Sequence, residues 1–199
     1  MLRILISGLL LIFSAQLLAQ TPMVITRMTG TITFDGIPDE EVWQSVQALS
    51  MVMQTPVFGN DPTETSTIKI AYDDEYLYVS GFLNLKDPDD LRPFGKKRDY
   101  SEGTCDWFGI ILDSFNDRKN AVTFWTNPNG LRTDGTVQND ASDPDNDMSF
   151  TWNTFWDVKT EINGHGWSAE FRIPFSSLRF QMQDDKDPNG NLYRKIHPC

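Results

Sequence analysis

Four carboxylates, Asp140, Asp143, Asp145 and Asp147, fall within the eight residues 140–147. Hard oxygen donors at that spacing suit calcium, which takes about six to eight oxygens at roughly 2.3–2.6 Å. The stretch is not an EF-hand: the sixth position holds no glycine and the twelfth no glutamate, and a solvated acidic loop is the other reading. Six tryptophans form a second set. A sugar site stacks a pyranose face on an indole or phenol ring and orients its hydroxyls with Asp, Asn, Arg or Glu. The candidates in or beside loops are Tyr100, Trp125 and Trp152, with Arg98, Asn127, Asn129 and Arg132. Trp43, Trp156 and Trp167 have apolar neighbours at core spacing, and Trp107 alternates inside an apolar strand, so these four are assigned to the interior. Trp125 precedes the turn Asn127-Pro128-Asn129-Gly130, which leaves core and site both open for it. His165 and His197 lie near no Ser or Cys motif, and no P-loop, dinucleotide fingerprint or His/Cys metal spacing occurs, so no catalytic constellation is legible.

The elements that must position these residues are mostly strands. Trp167, Ala169, Phe171 and Ile173 alternate with Ser168, Glu170 and Arg172, the period of a half-buried strand. Residues 155–162 alternate in the same way, and Asn163-Gly164 between the two runs is a hairpin signal. Residues 106–113 are apolar on both faces, as a central strand between two layers is. Residues 68–72, 76–83 and 121–126 are rich in β-branched and aromatic side chains, and 30–34 is a weaker strand. Pro38 at a first helical position, with Asp39, Glu40 and Glu41 in the first turn, predicts a short helix to about residue 48. A single turn is expected at 174–178. Residues 86–103 and 130–149 read as loops. About seven strands with turn-rich connections predict an all-β fold, an antiparallel β-sandwich with one or two short helices.

The N-terminus reads as an export signal: Arg3, an apolar run over 4–13, and the small residue Ala19 at a cleavage position. That run is shorter than the roughly 20 residues of a spanning helix. Cleavage after Ala19 removes one positive charge from a chain of net charge −11 and leaves 180 residues, one domain's worth, at −12. This balance argues against nucleic acid and anionic lipid as partners, since both demand basic patches. Cys105 and Cys199 make no disulfide framework. The expected organisation is a signal peptide at 1–19, a sandwich domain at 20–183, and at 184–199 a linker and the truncated start of a following region.

The motif Asp35-Gly36-Ile37-Pro38-Asp39-Glu40-Glu41-Val42-Trp43 resembles the opening of carbohydrate-binding modules of family 9. Ala71-Tyr72-Asp73-Asp74-Glu75-Tyr76-Leu77-Tyr78-Val79 is similar to the family's early hairpin. Residues 106–113 and 166–175 are similar to its central and late strands. The resemblance runs in order from about residue 30 to residue 180 and implies a jelly-roll-like β-sandwich, often calcium-stabilised, that binds sugars in some members. Sugar-binding members clamp a terminal sugar between two tryptophans, one of them just before the Asp of the central strand, where Tyr100 is the nearest aromatic here. The run 172–180 is similar to a subgroup at the N-terminus of large bacterial surface proteins, followed by an outer-membrane region. The resemblance thus implies a non-catalytic, exported domain that binds a glycan or oligosaccharide, in the periplasm, outer membrane or cell surface of a bacterium. The alternatives are an assembly domain without a sugar site and an accessory fragment of a glycoside hydrolase.

Overall fold

Alternating apolar residues pair here into two antiparallel sheets that face each other across one core. The computed structural model describes residues 24–93, 95 and 105–178; the backbone alone is described at 144–145, 184–186 and 192–194. The strands are β1 (Thr26–Arg27), β2 (Ser66–Tyr72), β3 (Tyr76–Asn84), β4 (Phe108–Leu112), β5 (Ala121–Thr126), β6 (Thr133–Val137), β7 (Met148–Ser149), β8 (Asp157–Asn163) and β9 (Gly166–Pro174). One sheet has the order β1-β2-β3-β9-β8 and the other β4-β5-β6-β7. Among the described residues only the β1–β2 pairing is parallel. Within the stretch expected to be a linker, β10 (Asp184–Lys186) pairs antiparallel with β11 (Leu192–Arg194). Among the described residues no helix is long and apolar enough to cross a membrane.

Aromatic rings join the layers. Phe124 of β5 meets Trp156 at 5.3 Å, Trp156 stacks on Phe171 of β9 at 5.5 Å, and Phe171 meets Phe108 of β4 edge-on at 5.1 Å. Each such pair contributes about 0.5–1.5 kcal/mol beyond its area. Phe108 seats against Gly81 of β3, where an added Cβ would lie 2.7 Å from its ring. Trp43, Trp156 and Trp167 are buried, as their spacing predicts.

The β8–β9 hairpin forms with Gly164-His165 at its tip, and Asn163 pairs with Gly166. The single turn after β9 is a 3-10 turn at Phe175–Ser177. In five places the structure departs from the pattern of the chain. Residues 106–113 do not form a central strand: β4 is an edge of the four-stranded sheet, and Ile111 is exposed because it points away from the other layer. The polar stretch 130–149 is not all loop but contains β6 and β7. Asp134 of β6 is fully buried and accepts the Thr154 N–H at 2.7 Å, so a hydrogen bond does there what apolar burial does elsewhere. The expected helix shrinks to one turn, α1 (Glu41–Gln44), with Glu40 as N-cap and Pro38 outside it. Residues 30–34 form no strand.

The fifth departure concerns β9, which is covered on both faces. Its outward Ser168 and Glu170 are buried under a strap formed by residues 28–46. Met28, Trp43 and Val46 of the strap pack on Ala71 of β2 with Tyr78 of β3 beside them. The Lys69 ammonium donates to the Trp43 carbonyl at 2.6 Å and the Ser168 hydroxyl to the Gly36 carbonyl at 2.6 Å. Gly36 turns with φ +99°, and a Cβ there would lie 2.8 Å from the Thr160 nitrogen of β8, so only glycine fits.

Candidate functional site

Side chains alternate along a strand, so four consecutive residues lining one groove mean that the groove runs over the strand's edge. Trp107 and the β4 residues Phe108, Gly109 and Ile110 do this, along a groove of about 410 Å³. Leu49, Met51, Ser66, Ile68 and Leu83 form the opposite wall, and Trp125 of β5 completes the rim. Gly109 and Trp125 are cross-strand partners. A Cβ on Gly109 would come within 2.2 Å of the Trp125 indole, so the missing side chain lets the ring lie flat over β4. Trp107 and Trp125 are both half-buried, and no charged side chain among the described residues lines the groove. The arrangement offers indole faces, one hydroxyl and a strand edge: a surface for stacking and hydrogen bonding, without acid or base.

Beside the groove lies a polar anchor. The buried Asn127 side-chain oxygen accepts the N–H groups of Asn129 and Leu131, both at 3.1 Å. Its Nδ2 donates to the Gly95 carbonyl at 3.2 Å and toward the Cys105 sulfur at 3.5 Å. Asn129 Nδ2 donates to the carbonyls of Pro93 and Gly95. Both expected sugar ligands are therefore committed to holding the turn 127–131 and the segment at 93–95. They shape the site from behind.

The remaining sequence candidates do not converge. Trp152 turns inward, its ring edge-on to Phe124 at 6.1 Å, and lines a separate cleft with Phe115, Val122 and Val137. Arg132 sits at the opposite edge of the sandwich: its guanidinium donates to the Trp156 carbonyl at 2.7 Å and lies 3.6 Å from Asp157. Arg98 and Tyr100 lie outside the described residues. Trp107 was missed because alternation in an apolar run reads as burial, and only the edge position of β4 brings it to the surface. Its sequence signal was Gly109, a glycine inside a strand, which marks close approach of another group.

The acidic loop is closed by its own donors. Asp147 accepts from Asn139 Nδ2 at 2.9 Å, the Ser142 hydroxyl at 3.1 Å and the Asp143 N–H at 2.9 Å. These bonds, led by that from Asn139, hold its carboxyl below the usual range. Asp143 accepts from Asn146 Nδ2 at 2.7 Å, and Asp140 has left-handed backbone at φ 58°. For Asp145 only the backbone is described. Asp143 and Asp147 thus spend carboxylate oxygens on donors of the loop itself, and among the described residues no three His, Cys, Asp or Glu side chains are grouped to hold a metal.

A scan of protein-family profiles matches nothing in this chain, and no curated protein matches it. Solved structures do match. A family 9 carbohydrate-binding module from Caldicellulosiruptor kristjanssonii in complex with cellotriose superposes with a TM-score of 0.51 at 18% identity, over 88% of this chain and 83% of that one. The module in complex with glucose gives 0.52 at 19% identity, over 87% and 84%. With its two facing sheets, its β9 inserted between β3 and β8, and near-complete coverage on both sides, this chain has the fold of a family 9 carbohydrate-binding module.

Proposed function

We propose that this chain is a non-catalytic carbohydrate-binding domain whose ligand stacks on Trp107 and Trp125. The observation that carries the reading is the half-buried indole pair lining one open groove in a fold shared with modules solved with cellotriose and glucose. An indole face supplies apolar area to a pyranose, and the uncharged lining suits a neutral saccharide. In keeping with the N-terminal pattern of charge, apolar run and small residue, the domain is exported and acts outside the cytoplasm, as part of a bacterial surface protein. Glycan-array and calorimetric titration of the folded protein, over soluble and insoluble glycans with and without calcium, tests the binding. A saturable signal lost in Trp125→Ala is expected, and silence across all glycans overturns the reading.

An assembly domain without a sugar site is the second reading. It is favoured by Trp152 packing inward and by Asn127, Asn129 and Arg132 spending their polar groups on the fold. The same titration separates the two.

A further inference from the structure

The strap covers the outer face of the five-stranded sheet, and at its centre it encloses a carboxylate that the groove does not use. Glu170 is 1% exposed. Its Oε2 accepts the N–H groups of Asp35 and Gly36 at 3.2 and 3.0 Å. Its Oε1 is buried with no hydrogen-bond partner. Glu40 of the strap repeats the pattern: Oε1 accepts the Thr33 N–H at 2.6 Å, while Oε2 is buried without a partner. The Trp43 indole N–H is aimed at Glu170 and, with the Gly36 and Asp35 N–H groups, acts to lower its carboxyl against the upward push of burial, although it falls short of full hydrogen-bond geometry. A buried carboxylate and a half-buried one thus each carry a buried oxygen without a partner, and each such acceptor is a standing penalty.

A proton resolves this arrangement better than a cation. The Asp35 and Gly36 N–H groups already occupy Oε2, and a proton on the spare oxygen removes the charge that burial penalises. The charged groups around it leave the need unmet. On β8, Lys159 is opposite Glu170 in register but exposed to water, as are Asp157 and Glu161. On β3, Ser80 is opposite Glu170 and Tyr78 bonds Asp73. On β9, Arg172 bonds Asp157 at 2.8 Å and stacks over Phe34 of the strap. On β2, Lys69 bonds the Trp43 carbonyl. In the strap itself, Asp35 and Glu40 add negative charge.

We infer that residues 28–46 form a proton-gated strap, seated on the sheet when Glu170 is protonated and loosened when it ionises. Burial, with a lesser contribution from Glu40, pushes the Glu170 carboxyl up to about 7. The sign follows from that direction. The seated state holds its proton more tightly than the open state, so the strap is firmest below the ordinary carboxyl range. It weakens as pH rises from about 4.5 to about 7 and changes little above that.

Amide hydrogen exchange on the full chain tests this. Protection factors for Thr33, Asp35 and Gly36, referred to that of Val79 in β3, should fall on the order of a hundredfold between pH 5 and pH 8. Glu170→Gln should flatten the dependence. No fall in the native protein, or an equal fall in Glu170→Gln, overturns the inference. Should Glu170→Gln fail to fold, a carbon-detected NMR titration of the Glu170 carboxyl in the native chain decides: a midpoint near 7 sustains the gate and one near 4.5 removes it.

Discussion

Replacing Gly109 by alanine places one methyl group where the Trp125 ring now lies. The Cβ would stand 2.2 Å from indole Cε3 and 2.4 Å from Cδ2, well inside contact distance, so the indole must leave the strand. Inserting a carbon into packed surroundings costs about 1–3 kcal/mol. Trp125→Ala, which removes a half-buried ring, costs about 2 kcal/mol. The double variant behaves differently from the sum. With the indole gone the alanine has room, and replacing a strand glycine then returns about 0.4–1 kcal/mol. Gly109→Ala should therefore destabilise the native protein and stabilise Trp125→Ala, with a coupling on the order of 2–3 kcal/mol. Urea unfolding followed by far-ultraviolet circular dichroism, which is insensitive to the lost fluorophore, measures all four corners of the cycle. Both single variants should also weaken saccharide binding by at least about tenfold, the worth of one displaced aromatic contact. Additive stabilities would show that Trp125 does not rest on Gly109, and the groove described for this edge would be wrong.

Three other outcomes follow from the same geometry. Asn127→Ala leaves the N–H groups of Asn129 and Leu131 without their acceptor and should destabilise by about 1–3 kcal/mol for each amide that water does not reach, read from the urea midpoint. Trp152→Ala removes the ring contact with Phe124 and should lower the melting temperature while leaving saccharide affinity unchanged in calorimetry; a lost affinity would place Trp152 in the site. Gly36→Ala meets both a left-handed backbone and the Thr160 nitrogen at 2.8 Å, so it should destabilise by 2 kcal/mol or more, on the order of the strain in such conformations, and should lower exchange protection in the strap first.

Strands with clean period-two alternation were legible, as β8 and β9 show, because one inward row of Trp, Ala, Phe and Ile leaves a single register that buries it. β6 was not, because Thr133, Asp134 and Gly135 read as turn residues, and the buried Asp134 carboxylate is held by partners such as a backbone N–H twenty residues away. β4 was misplaced because an apolar residue at 111 suggested cover on both sides, and nothing local says which strand ends a sheet. The strap was half legible. Its motif pointed to a helix near Trp43, but burial of Glu170 beneath it depends on contacts across the whole chain. At the site, Trp125 was identified as a candidate from its neighbouring turn, whereas its partner Trp107 required the register that sets Gly109 under the indole. Asn127 and Asn129 carried the right chemistry for hydroxyls and were recruited by nearby backbone instead, a competition that residue type does not reveal.

The place of β9 also sets the order in which the chain can be completed. It is the last long strand in sequence and the middle one between β3 and β8, and the strap bonds to it across 134 and 135 residues. Until Pro174 is available, β3 has one open side and β8 has no neighbour. Trp43 meanwhile lacks the finished surface it must cover. Completion of the five-stranded sheet therefore waits on a loop closure of more than 130 residues, which predicts slow, high-contact-order kinetics for the domain and a strap that cannot seat until residue 174 has been made.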